Sequence, residues 1–160
     1  MTNADVLSRS LRSLNRAAAQ LDHAVAEKLG LRPLDYEAMG HIMDQDGAHP
    51  GPAELGYRLR ISTGSATELA ERLERSGHIS RTREGTGRRR IQLVAQQHAV
   101  GRILRELGPL FVDLDNLPRE FSAGEQAVIQ HYLRGAGDRL RSHTATLSAA
   151  THVEDLPHKG

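Results

Sequence analysis

Apolar residues recur along this chain at helical spacing from near its start. Leu7, Leu11, Leu14, Ala18, Leu21, Val25 and Leu29 step by 4, 3, 4, 3, 4 and 4. That pattern predicts one long amphipathic helix from Ala4 to Leu29, ended by Gly30. Pro33 opens a second helix, which carries Tyr36, Met39, Ile42 and Met43 and stops before Gly47. Pro50-Gly51-Pro52 predicts a tight connection into a short third helix, Ala53 to Leu59, with Leu55 and Leu59 facing inward. A fourth helix begins at Ser62, whose side-chain oxygen can cap an orphan amide. Its stripe is Ala66, Leu69, Ala70 and Leu73, and Gly77 closes it at a position that favours a left-handed residue.

The period then changes from helical to alternating. Ile79, Arg81 and Arg83 lead to the tip Glu84-Gly85-Thr86-Gly87, and Arg88, Arg89, Arg90, Ile91 and Leu93 return, which predicts a β-hairpin. Val100, Leu104, Leu107, Phe111 and Leu114 restore a helical seam with steps of 4, 3, 4 and 3, from about Gln96 to Leu117. Gly108-Pro109 predicts a kink within that helix rather than a domain boundary. Ser122 and Glu125 have capping-box spacing and start a last helix with the stripe Val128, Ile129, Tyr132, Leu133, Ala136, Leu140 and Leu147. Residues 149–160 show no periodicity and are expected to form a flexible tail.

These elements predict a mainly α fold with a small β-wing. A chain of 160 residues is long enough for one domain with a real core. We expect a single domain over 1–148, with a lobe at 31–95 and further helices at 4–29 and 96–148. Trp is absent and aromatic residues make up 3%, so Leu, Val, Ile, Ala and Met must build that core.

The formal net charge of +1 says little until it is divided along the chain. Residues 1–57 hold 5 basic and 8 acidic side chains, and residues 91–160 hold 7 and 8. Residues 58–90 hold 9 arginines against 4 glutamates, so the positive charge gathers on the fourth helix and the hairpin. One basic surface on an otherwise balanced chain suits contact with phosphate.

The third and fourth helices, joined by a brief turn at Arg60-Ile61, form a helix-turn-helix. Ser62, Thr63, Gly64, Ser65, Thr67 and Glu68 are short or hydrogen-bonding residues off the apolar stripe, at the end of a helix that can enter a major groove. Arg72 lies further along the same helix. Arg83, Arg88, Arg89 and Arg90 on the hairpin can hold phosphates or enter the minor groove. These eleven residues are the expected double-stranded DNA contacts. Glu68 with Arg72, and Glu71 with Arg75, also have the spacing of ion pairs on a solvated helix face.

From Leu31 to Ala95 the chain resembles the MarR family of winged helix-turn-helix transcription regulators. The resemblance rests on Leu34 and Tyr36 through Met43, on Ala53-Glu54-Leu55, and on Ile61-Ser62, Thr67, Leu69, Leu73, Gly77, Ile79 and Arg81. The arginine-tipped wing completes it, and the flanking helices extend the match over most of the chain. Two positions depart from the family pattern. Gly87 stands where members usually carry an Asp before the wing arginines, and Glu68 stands where many carry a basic residue. The resemblance implies a sequence-specific regulator, most often a repressor, working as a triangular homodimer joined by its terminal helices.

Dimerisation also follows from the pattern itself, because the first, fifth and sixth helices carry more apolar stripe than one lobe needs. Two readers related by a two-fold axis would face half-sites roughly 34–36 Å apart, so the expected operator is palindromic. Members of the family commonly bind a small aromatic or anionic effector between the dimer helices and the DNA lobe. The residues expected to line such a site are Leu21, Val25, Tyr36, Met39, Met43 and Phe111. An alternative is a protein-interaction module whose basic wing meets an acidic partner.

Other classes find little support. Without cysteine there is no disulfide, thiolate metal site or cysteine redox sensor. Nine histidines are scattered, with no i,i+4 pair and only His41 with Asp44 as a local pairing, so neither metal nor cofactor is expected. No nucleophile elbow, phosphate-binding loop or zinc-protease motif is present, and an enzyme is not expected. No apolar leader or membrane-length run is seen, which predicts a cytoplasmic protein without membrane contact.

Overall fold

A computed structural model of the chain describes residues 2–44, 49–84 and 90–154. The order is α1 (Asn3–Leu29), α2 (Pro33–Met43), α3 (Pro52–Leu59), α4 (Thr63–Arg75), β1 (Ile79–Glu84), β2 (Arg90–Ala95), α5 (Gln97–Asn116), a 3-10 turn (Leu117–Glu120) and α6 (Ala123–Glu154). This is a mainly helical fold with one two-stranded antiparallel wing. Local signals place most boundaries. Gly30 takes φ 69° and Gly77 takes φ 75°, left-handed values that stop α1 and the end of α4 at glycine. Ser122 and Glu125 form the capping box: the Glu125 carboxylate accepts from the Ser122 amide at 2.8 Å and from its hydroxyl at 2.7 Å. Those bonds hold the Glu125 carboxyl below its usual pKa.

The chain divides into two compact units, Met1–Pro109 and Leu110–Gly160. The first holds the core. Val25, Leu29, Ala38, Met39, Ile42, Leu55, Leu59, Leu69, Ala70, Leu73, Ile79, Leu93, Ala99, Ile103 and Leu107 form one buried cluster. Gly56 lets α3 and α4 approach, since a Cβ there would lie 3.2 Å from both the Ala66 methyl and the Ile61 carbonyl oxygen. The hairpin pairs Ile79 with Ala95 through to Glu84 with Arg90. The Leu93 amide also donates to the Pro50 carbonyl at 2.9 Å, anchoring the wing to the segment before α3.

The second unit is built differently. None of its residues 110–147 is buried. Phe111, Leu114, Leu117, Phe121, Val128, Leu133 and Leu140 are all large, apolar and exposed. An apolar groove of about 790 Å³ lies here, lined by residues including Leu114, Phe121, Ile129, Leu133, Gln126 and Arg134.

Pro109 sits inside α5, which runs on to Asn116, and the division into units falls at that residue. The stretch from 149, expected to lack structure, continues as helix to Glu154, because Ala149 and Ala150 favour helix and no breaker precedes Pro157. Residues 155–160 lie outside the described residues. Among the described residues, no helix is long and apolar enough to cross a membrane.

Candidate nucleic-acid interface

The fourth helix is held by its inner face and offers its leading end. Ala66, Leu69, Ala70 and Leu73 are at most 1% exposed, so the helix cannot turn that stripe outward. Ser62, extended at φ −63° and ψ 155°, accepts from the Ser65 amide at 3.1 Å. Its hydroxyl donates to the Ser65 hydroxyl at 2.9 Å, leaving the Ser65 proton able to point outward. The Thr67 hydroxyl donates back to the Thr63 carbonyl at 2.9 Å and therefore keeps only acceptor capacity for a partner. Ser62, Thr63, Gly64, Ser65 and Glu68 are exposed, and Thr67 is half-exposed. The structure thus brings six of the expected contacts together at one exposed helix end, one able to donate and its neighbour able to accept.

The wing is only partly within the described residues. Arg83 is exposed on β1, opposite Ile91. Arg90 lies in β2, paired with Glu84, and its side chain is outside the described set, as are Arg88 and Arg89 entirely. Arg81 shares the β1 face of buried Ile79 and turns back to α4. Its Nε is 3.1 Å from Glu74 Oε2, and its Nη2 is 3.8 Å from Glu71 Oε1. These are charge contacts off the hydrogen-bonding line, since both nitrogens are buried without a hydrogen-bond partner.

Arg72 has a partner that spacing along its own helix did not offer. Its hydrogen bonds run inward to Asp35 on α2, from Nε to Oδ2 at 3.0 Å and from Nη2 to Oδ1 at 2.5 Å. Those bonds raise its pKa further, against the opposing effect of burial. A guanidinium gripped this way is a poor candidate for a phosphate contact. Glu71 likewise faces Arg81. Sequence reasoning missed Asp35, although a signal existed. Asp35, Ala38, Met39 and Ile42 are the buried residues of α2, so a carboxylate lies on that helix's inner stripe and requires a cation.

The expected effector residues of the first unit differ in burial. Val25 and Met39 are 6% and 0% exposed and belong to the hydrophobic core. Tyr36 and Met43 are half-buried against that core, and Leu21 is 37% exposed. Burial, then the charge of Asp22, pushes the Tyr36 hydroxyl pKa up. Phe111 belongs to the second unit. The groove in that unit is lined by none of the six. Among the described residues no group of three or more His, Asp or Glu could hold a metal ion.

No family model matches the chain. It is 31% identical over 136 residues to YcgE of Bacillus subtilis (strain 168), an uncharacterized HTH-type transcriptional regulator, covering 85% of this chain and 87% of that one. A MarR family protein from Bacillus stearothermophilus has the same fold, with a TM-score of 0.60 at 19% identity over 88% of this chain and 99% of its own. A mutant form of MepR from a multidrug resistant S. aureus clinical isolate gives a TM-score of 0.65 at 13% identity, over 84% of this chain and 96% of its own.

Proposed function

The chain belongs to the MarR family of winged helix-turn-helix regulators and is a DNA-binding transcription regulator, a non-enzymatic class; from this we propose that it is a repressor that binds a palindromic operator as a homodimer and leaves it when a small ligand binds. The observation that carries the dimer is the second unit, in which none of residues 110–147 is buried. Val128 at 69% exposure and Leu140 at 52% are costly to leave in water, and a second copy of the same surface can cover them. In α5 the residues buried within the chain are Ala99, Ile103 and Leu107, while the seam through Leu104, Phe111 and Leu114 stays exposed. A helix with one apolar face used and another free is suited to joining subunits.

On DNA, the leading end of α4 supplies base contacts through Ser62, Thr63, Gly64, Ser65, Thr67 and Glu68. Arg83, Arg88, Arg89 and Arg90 supply phosphate or minor-groove contacts. Arg72 drops out of the contacting set. A small aromatic or anionic effector acts by binding the off-DNA conformer more tightly than the DNA-bound one. Leu21, Tyr36 and Met43 are the unit-1 residues that such a molecule could touch, whereas Val25 and Met39 are sealed in the core. The wing assignment is tested by the Arg88→Ala/Arg89→Ala variant in gel-shift titrations over a salt series. Affinity should drop for every duplex and the log–log salt slope should flatten by up to roughly 1.8 per subunit, two phosphates' worth. Unchanged affinity would remove the wing from the interface.

A further inference from the structure

Asp35 is the one acidic side chain among the described residues that is buried, at 4% exposure. It stands in the first turn of α2 behind Pro33, where the amide end of the helix favours negative charge. Its partner comes from 37 residues along the chain. Arg72 meets it through two hydrogen bonds, Nε to Oδ2 and Nη2 to Oδ1, so the guanidinium and carboxylate planes are locked together. A single ammonium could neutralise the carboxylate but could not fix an orientation in this way.

The rest of the support for α4 has less directional content. Ala66, Leu69, Ala70 and Leu73 bury apolar surface, which keeps that stripe facing inward but sets the finer turn and slide of the helix less sharply than a directional bond does. On the wing side, Arg81 approaches Glu74 and Glu71 without hydrogen-bond geometry. The Asp35 fork therefore defines how far α4 is turned and slid relative to α2. Ser65 and Thr67 lie on the same rigid helix, so the fork also sets where their hydroxyls point. A buried ion pair is a poor source of stability, because apolar replacements of similar volume are often neutral or stabilising. Orientation is what it supplies and they do not.

We propose that the Asp35–Arg72 pair positions the recognition helix, so that it governs discrimination between operator and other DNA although neither residue touches DNA. This rests on α4 being the reading helix. The test compares wild type with Asp35→Leu/Arg72→Met, which leaves net charge unchanged and fills similar volume. Affinity for an operator recovered by selection, and for a random duplex, is measured by fluorescence anisotropy over a salt series beside thermal unfolding. The expected result is a melting temperature equal to or above wild type, unchanged random-duplex affinity and salt slope, and an operator-to-random ratio reduced tenfold or more. An unchanged ratio would overturn the proposal. So would a salt slope lower by roughly 0.9, the signature of one lost phosphate contact, since Arg72 would then touch DNA itself. If the double variant does not fold, Asp35→Asn breaks the fork and keeps Arg72: a ratio reduced tenfold or more supports the proposal, and an unchanged ratio overturns it. A wild type without operator preference would overturn the reading role of α4 itself, and that result is visible in the wild-type arm alone.

Discussion

Helices α4 and α6 both carry apolar residues at helical spacing, yet only the stripe of α4 is buried within its own chain. Ala66, Leu69, Ala70 and Leu73 on α4 are at most 1% exposed. Val128, Ile129, Tyr132, Leu133 and Leu140 on α6 are between 38% and 69% exposed. The sequence rule is the same for both: apolar residues at helical spacing must face something apolar. What differs is the provider. For α4, helix α3 and strand β1 pack against it, in one buried cluster that also holds residues of α2 and β2. For α6 the proposed homodimer supplies the matching surface from a second copy. A periodic stripe thus announces that a face will be covered, and says nothing of whose chain covers it.

This contrast can be broken at either side. The largest effect is expected from Leu133→Glu, which sets a charge on the uncovered stripe. It should leave the lobe folded yet yield monomers in sedimentation, with operator affinity lower on the order of 100- to 10,000-fold because two linked half-site contacts become separate ones. Leu73→Ala attacks the covered stripe and should cost about 2–5 kcal/mol in denaturant unfolding. A Leu133→Glu protein that stays dimeric would mean that the α6 stripe is not the joining surface.

A smaller effect is expected at the exposed end of α4. Ser65→Ala and Thr67→Val should each change preference at one base pair, by about 1–3 kcal/mol where the hydroxyl makes a good contact. An identical consensus from both variants would show that these hydroxyls read no base.

The smallest effect concerns the lobe's pH dependence. Burial, then the charges of Arg102 and His98, pulls the His78 pKa below its ordinary 6.5, with Asp35 acting the other way. The unfolded chain then takes up this proton more readily than the folded one. The contribution is complete above the unfolded value and is lost as pH falls below it toward the lowered folded value. His78→Gln should therefore flatten the fall in melting temperature on acidification below about pH 6.5. The same slope in the variant would assign that dependence to other groups.

Much of this was legible in the sequence because it is written locally. The Ala4–Leu29 helix is found as Asn3–Leu29, and the Ser122–Glu125 box caps α6. Caps, glycine stops and stripes act within four residues, so reading along the chain suffices. The misses involve partners chosen by the fold. Spacing pairs Arg72 with Glu68, its neighbour at i−4, but a desolvated carboxylate on α2 outcompetes a solvated one on the same helix. Val25 and Met39 look like pocket lining in the sequence because an apolar pocket and an apolar core use the same residues. The wing tip, where Arg88 and Arg89 carry the expected phosphate contacts, stays an expectation.

The most direct test of the central claim, that paired copies of the α4 end and the wing read DNA, is selection of bound sequences from a random duplex pool with the purified protein. The account predicts a palindromic consensus whose half-site centres lie roughly one helical turn apart, 10–10.5 base pairs. Recovery of duplexes with no shared sequence would contradict it.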